Sequence, residues 1–366
     1  VGGFTFGWIS DRIGRSTTLM LTILTYSLFT GITYFVTDWW QMLSLRFLAA
    51  LGTGGEWAVA SAMVAEAFPP RARARAGSIF HASSVFGTMI AAAIGAFIVA
   101  NPALGWRPAF IIGALPALIV VFIRFKLHDS PERRESERVQ LAAVGRLDAS
   151  AWKVPGVKKN LLVGVLLATV GLATFWGVHV YGRQAYLQSV QRVNPEWLAE
   201  GNVSGQTSLK RQEMLGMWLV TLGGGIGLFG FGPFCDRFGR RKAFIAFHLG
   251  ATTVSLVLFL ALKNASPLLI GWWLPVFGFF TLGMHAGYAV YFPELFPTQI
   301  RGAASGFCFN FARITAVPAL YLSGRLIDSD DPDRFYFVTS GFSLLFLLGV
   351  LLILFGPETK GRELPT

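Results

Sequence analysis

The sequence predicts an all-α membrane protein built as two pseudo-symmetric helical halves, and three observations carry that prediction. Only 14% of the 366 residues are charged and 53% are hydrophobic, whereas an ordinary soluble domain carries about 25% charged residues. The apolar residues gather into runs that approach or exceed the roughly 20 residues a helix needs to cross a hydrocarbon core. Two charged motifs also recur in the same order in the two parts of the chain.

Taken in order, the runs cover 17–36, 43–64, 78–100 and 110–123. After a polar interval they resume at 161–180, 215–234, 243–262, 268–292, 302–327 and 335–355. An apolar remnant, 1–9, precedes them, so the chain is expected to be truncated at its N-terminus, with about 10.5 of about 12 spans present. The expected layout is 1–127 as an N-terminal half (end of span 2 to span 6), 128–160 as a connector, 161–356 as a C-terminal half (spans 7–12) and 357–366 as a tail. The connector opens with Ser130-Pro131-Glu132-Arg133-Arg134 and is too polar to span. Glycine is plentiful, with 41 residues. The Gly52-x-Gly54-Gly55 and Gly223-Gly224-Gly225 runs read as close helix-packing surfaces, because no strand precedes them and no Lys-Ser/Thr follows.

A net charge of +11 raises the question of nucleic acid, but the distribution answers it. Threading the spans through a bilayer puts about 21 of the 31 Lys and Arg on one side, the pattern of cytoplasmic loops. Among them are Arg71, Arg73, Arg75, Arg124, Lys126, Arg241, Lys242, Lys360 and Arg362, while Asp38, Asp328, Asp330, Asp331 and Asp333 lie opposite. The expectation is a multi-pass protein of the cytoplasmic (inner) membrane, monomeric in the lipid bilayer, with no nucleic-acid partner. Cys235 and Cys308 form neither a disulfide framework nor a metal-ligand spacing. No His-Glu-x-x-His or Gly-x-Ser-x-Gly motif appears, so neither an enzyme, a metal nor a cofactor is expected.

Gly7-Trp-Ile-Ser-Asp11-Arg12-Ile-Gly14-Arg15 recurs as Gly232-Pro-Phe-Cys-Asp236-Arg237-Phe-Gly239-Arg240. Glu66-x-x-Pro69-x-x-x-Arg73 recurs as Glu294-x-x-Pro297-x-x-x-Arg301. The intervals are about 225 and about 228 residues, a register that points to duplication. Gly14 and Gly239 suit a tight interhelical turn. Asp11 and Asp236 are placed to face the positive N-terminus of a neighbouring helix, with the start of the 302–327 run as the natural partner of Asp11.

These motifs resemble the loop signature of the major facilitator superfamily. The run from Arg46 through Gly52, Gly54, Gly55, Glu56 and Trp57 is similar to the fourth span of its sugar-porter and its sialate and metabolite–proton symporter branches. Tyr291 to Gly302, Gly306 to Arg313, and the ending Pro357-Glu358-Thr359-Lys360-Gly361-Arg362 extend the resemblance. It implies the major facilitator fold and secondary active transport by alternating access, with a solute site between the halves near mid-membrane. The implied function is movement of an organic anion or sugar-like metabolite, coupled to protons. Efflux by proton exchange and a non-transporting receptor are the alternatives.

Ionisable residues at membrane depth are the candidate transport residues. Glu56, Arg46, Arg313, Asn310, His285 and Tyr288 are the candidates for solute or proton binding. Arg46 and Glu56 lie about 80° apart around one helix and about 15 Å apart along it, so both could border one cavity. Asn310 is expected on the face of Arg313. His81 is a further histidine at membrane depth, and Trp176, His179 and Tyr181 suggest a lining with Arg183 at its rim. The gating-loop candidates are Gly7, Asp11, Arg12, Gly14, Arg15, Glu66, Arg73, Asp236, Arg237, Gly239, Arg240, Glu294 and Arg301.

Overall fold

A computed structural model of the chain describes residues 1–99, 101, 104–115, 151–327 and 331–365. Most of the expected connector, the end of the 110–123 run, Arg124, Lys126, Asp328 and Asp330 lie outside the described residues. Every regular element among those described is helical. In the first part these are α1 (Gly2–Ile13), α2 (Arg15–Ile32), α3 (Trp39–Ala67), α4 (Pro70–Ala82), α5 (Ser84–Ile94) and α6 (Arg107–Ala114). The second part holds α7 (Val157–Thr174), α8 (Val180–Val193), α9 (Val203–Phe238), α10 (Arg240–Leu256) and α11 (Pro267–Gly283). It continues with α12 (Ala286–Glu294), α13 (Arg301–Thr315), α14 (Val317–Ile327), α15 (Pro332–Ser343) and α16 (Leu345–Phe355).

Several of these are pieces of one longer apolar rod. Among the described residues, eight rods are long and apolar enough to cross a membrane, including Pro70–Val99, Val157–Val193 and Pro267–Glu294. The 302–327 run forms α13 and α14, separated at Ala316, and stands outside those eight. The rods present large apolar side chains outward. Leu268, Trp272 and Phe337 are 72%, 75% and 78% exposed, an arrangement that lipid, rather than water, stabilises.

Local chemistry sets the helix ends. Asp38 and Gln41 form a reciprocal capping box at the start of α3, satisfying two otherwise orphaned N–H groups. Pro70 and Pro267 open α4 and α11 at the first helical position, where their missing N–H costs nothing. The α1–α2 and α9–α10 turns each consist of one glycine, Gly14 at φ 97° and Gly239 at φ 94°, a conformation that side-chain-bearing residues adopt rarely.

Close helix approach depends on bare backbone. α9 packs on α11 through Gly223, Gly227 and Gly278, where an added Cβ would run into facing backbone of Pro275, Phe279 and Val220. α1 is held between α3 and α13, and α4 packs on α9 and α12. These contacts join the first part to the second, and they correspond. A Cβ on Gly7 would lie 2.6 Å from the Gly302 carbonyl oxygen, and one on Gly232 would lie 2.7 Å from the Ala74 carbonyl oxygen.

Candidate functional site

A cavity of about 800 Å3 opens among the rods. Its lining comes from His81, Ser84 and Thr88 on α4 and α5, from Phe175, Trp176, His179, Val180 and Arg183 around the α7–α8 junction, and from Met217, Val220 and Thr221 on α9. His285, just before α12, and Phe309, Arg313 and Leu320 on α13 and α14 complete it. The α7–α8 junction, Phe175–His179, is a π-helical turn. Such a turn breaks the regular side-chain register, and Phe175, Trp176 and His179 within it all line the cavity.

The lining carries cations and aromatic rings, with no carboxylate among its described residues. Arg313 is exposed to the cavity, with its guanidinium carbon 5.4 Å from the centre of the Phe309 ring. It makes no ion pair or hydrogen bond among the described residues. The second cation, Arg183, is only loosely paired, 3.7 Å from Glu213. A chain of ring contacts runs from Trp57 to His179, and four of its members, Phe309, His285, Phe175 and His179, line the cavity. Trp57 stacks on Phe309 at 4.2 Å and Phe309 meets Tyr288 at 6.1 Å. His285 contacts Tyr288 at 5.3 Å and Phe175 at 5.5 Å, and Phe175 stacks on His179 at 4.9 Å. Trp57 Nε1 donates to His81 Nδ1 at 3.2 Å, and His179 Nδ1 lies 2.7 Å from Thr281 Oγ1.

Charged motif residues fasten the end of the molecule that bears the repeats. Arg15 pairs with Asp11 and, at 2.9 Å, with Glu66. Its counterpart Arg240 pairs with Glu294 at 2.6 Å. Asp11 accepts from the Ala303 N–H at 3.1 Å, close to the α13 N-terminus, a position that favours an anion. Asp236 meets the Arg75 side chain at 2.8 Å instead. Arg301 reaches Glu66 at 3.0 Å, whereas Arg73 turns to the carbonyl oxygens of Ala65 and Arg362. The tail touches both copies, since Pro365 accepts from Arg301 at 2.9 Å. Thr359 donates to Glu294 at 2.6 Å, and Glu358 accepts from the Arg240 and Arg241 N–H groups at 2.9 and 3.1 Å. Arg12 stacks on Trp8 at 3.7 Å and Arg237 lies exposed, its backbone carbonyl accepting from Lys360.

Of the residues singled out for solute or proton binding, Arg313 and His285 line the cavity; four do not. Asn310 donates to the carbonyls of Gly306 and Gly54, at 2.9 and 3.3 Å. Asn310 therefore does not join Arg313 at the cavity, because the glycine-lined seam with α3 takes up its amide. Tyr288 is fully buried and donates to the Leu167 carbonyl at 3.4 Å. The expectation that Arg46 and Glu56 border one cavity is also corrected, since α3 contributes no lining residue. Arg46 donates to Thr33 Oγ1 at 3.0 Å and lies 4.7 Å from the Phe110 ring. Glu56 has no ion pair among the described residues. Trp176, His179 and Arg183 do line the cavity, while Tyr181 turns to Ser323 at 3.3 Å. Phe309, Phe175 and the Trp57–His81 bond escaped the sequence reading, because an aromatic ring inside an apolar run gives no signal of the partner it stacks on.

Membrane-crossing helices around a cationic, aromatic cavity, fastened at one end by ion pairs, define a polytopic solute transporter. The chain belongs to the Major Facilitator Superfamily, whose profile matches residues 1–307 and again 206–366. It is 28% identical over 361 residues to the sialic acid transporter NanX of Escherichia coli (strain K12), covering 95% of this chain and 80% of that one. It is 27% identical over 398 residues to the niacin transporter NiaP of Acinetobacter baylyi, covering 100% of this chain and 84% of that one. Among solved structures, the proton:xylose symporter XylE bound to 6-bromo-6-deoxy-D-glucose superposes with a TM-score of 0.72 at 18% identity. That match covers 99% of this chain and 84% of the other. The protein is therefore an integral, multi-pass secondary transporter and not an enzyme.

Proposed function

We propose that the protein carries a small organic anion, a carboxylate, across the cytoplasmic membrane by proton-coupled symport with alternating access. The observation that carries this reading is Arg313, a guanidinium exposed to the cavity with no acidic partner among the described residues. A carboxylate fits a guanidinium through paired, charge-assisted hydrogen bonds, and the aromatic lining would cover the solute's apolar body. Niacin and sialic acid, for which two relatives are named, both carry a carboxylate. The halves are assigned to 1–127 and 161–356, with basic loops in the cytoplasm and a monomer as the working unit. In that assignment the motif residues from Gly7 to Arg15, from Gly232 to Arg240, and around Glu66, Arg73, Glu294 and Arg301 form the cytoplasmic gate. Glu56, a carboxylate at membrane depth without an ion pair among the described residues, is the first candidate for the proton.

The test is uptake of labelled niacin and sialic acid into liposomes holding the protein, with and without an inward proton gradient. Accumulation driven by the gradient, and lost in Glu56→Gln while exchange continues, supports both the symport and the role of Glu56. Accumulation unchanged in that variant removes Glu56 from the mechanism. Binding without flux would support a receptor, and solute expulsion driven by the gradient would support efflux.

A further inference from the structure

Trp57 Nε1 carries a hydrogen and no lone pair available for bonding, so it can only donate. Its partner is His81 Nδ1, at 3.2 Å, and this atom must therefore hold the lone pair. The neutral ring consequently carries its proton on Nε2. Trp57 is itself committed on its other side, stacked on Phe309 of α13 at 4.2 Å. One ring thus ties the titratable group on α4 to the helix that presents Arg313.

We propose that His81 is the group that takes up the co-transported proton, that an anion in the cavity recruits that proton, and that Trp57 reports its arrival to α13. This rests on the proton-coupled anion reading above and, in place of Glu56, which does not line the cavity, gives the proton to His81, which does. On protonation, the Nδ1 lone pair forms an N–H bond with a proton from water in the cavity, leaving hydroxide in the solvent. The ring becomes an imidazolium with N–H at both nitrogens. Two N–H groups then face each other across the Trp57–His81 contact, and the bond that held the indole against Phe309 is lost. Proton release on the other side of the membrane reverses the step.

The surroundings make proton and anion arrive together. From the α7–α8 junction, His179 and Arg183 face the same cavity, and His285 and Arg313 face it from α12 and α13. The α9 residues at this level, Val220 and Thr221, are neutral, as are Ser84 and Thr88 on α5. On α3, the acid nearest in sequence is Glu56, which does not line the cavity. An empty cavity of this kind disfavours another positive charge, because the like charges around it repel one. A carboxylate seated at Arg313 cancels that repulsion and favours the imidazolium. By linkage, the proton then strengthens carboxylate binding by the same factor. His81 offers its Nε2–H to the solute in either state, with a stronger bond when charged.

His81→Gln is the informative variant, since a glutamine carbonyl can still accept from Trp57 while the side chain cannot titrate. The full chain is reconstituted in liposomes and given niacin or sialic acid under an inward gradient of about one pH unit, which supports about tenfold accumulation at one proton per anion. Wild-type protein is expected to approach that ratio. His81→Gln is expected to show none, yet still exchange internal for external solute. Trp57→Phe keeps the stack and removes the donor, so its affinity for the same acid is expected to become less dependent on pH.

Full accumulation by His81→Gln would overturn the assignment and leave symport standing. Failure of the wild type to accumulate either acid under the gradient would overturn the symport reading and this one together. A His81→Gln protein that neither exchanges nor accumulates, beside a Trp57→Phe protein with unchanged pH dependence, would reduce His81 to a structural residue.

Discussion

Two side chains show how much a single residue contributes here. Arg313 lines the cavity, its guanidinium over the Phe309 ring, and a hydrogen bond to a charged group is worth about 1.5–3 kcal/mol. Its presence at membrane depth was legible in the sequence, because an unneutralised cation in an apolar run costs a few kcal/mol and requires a reason. The side that Asn310 faces was not legible, since Gly3 of α1, Gly54 of α3 and Gly306 of α13 decide it. Glu358 acts differently. Burial raises its proton affinity, but the N–H groups of Arg240, Lys360 and Arg241 and the Arg240 charge outweigh that and hold its carboxyl below the ordinary value of 4.5. A depressed folded value means the contribution to stability is fully present above pH 4.5 and is lost as pH falls through the folded value. Wild type is thus expected to melt above Glu358→Gln at about pH 7, and the difference should shrink as pH falls below about 4.5. Thermal unfolding in detergent across that range checks it; a constant difference would place the effect of Glu358 in packing rather than charge.

At the level of helices, the apolar runs located most of the rods, because length and hydropathy alone fix what can cross a bilayer. The boundaries were less visible. The π-helical turn Phe175–His179 leaves no mark in an apolar stretch, and neither does the separation of α13 from α14 at Ala316. Both depend on what neighbouring helices press against. The glycine runs carried a clearer message. Gly223→Ala places a methyl group against the Pro275 backbone, where no side chain can rotate away. It is expected to cost about 1–3 kcal/mol, as overpacking generally does, and to lower the unfolding temperature. Gly87→Ala on α5, with nothing within 4 Å, is the control and is expected to leave it unchanged. Equal melting of the two variants would mean that α9 and α11 separate without penalty.

For the molecule as a whole, the two repeated motifs explain why one end is fastened while a cavity remains above it. Arg15–Glu66 and Arg240–Glu294 repeat one geometry, and the Arg301–Glu66 and Arg75–Asp236 pairs cross between the two parts of the chain. The repeat was legible from spacing alone. The tail's intrusion beside Glu294 was not, since Thr359 and Glu358 reach their partners from 65 and 118 residues away. With the motif end fastened, the solute's chemistry is set by the cavity, and Arg313 dominates its charge. The most direct test compares uptake of niacin with that of its neutral amide, nicotinamide, by wild-type and Arg313→Gln protein in liposomes. Wild type is expected to take up the acid and discriminate against the amide, and Arg313→Gln to lose the preference with roughly 10- to 100-fold weaker affinity for the acid. Equal uptake of acid and amide by wild type, or an undiminished preference in Arg313→Gln, would contradict it.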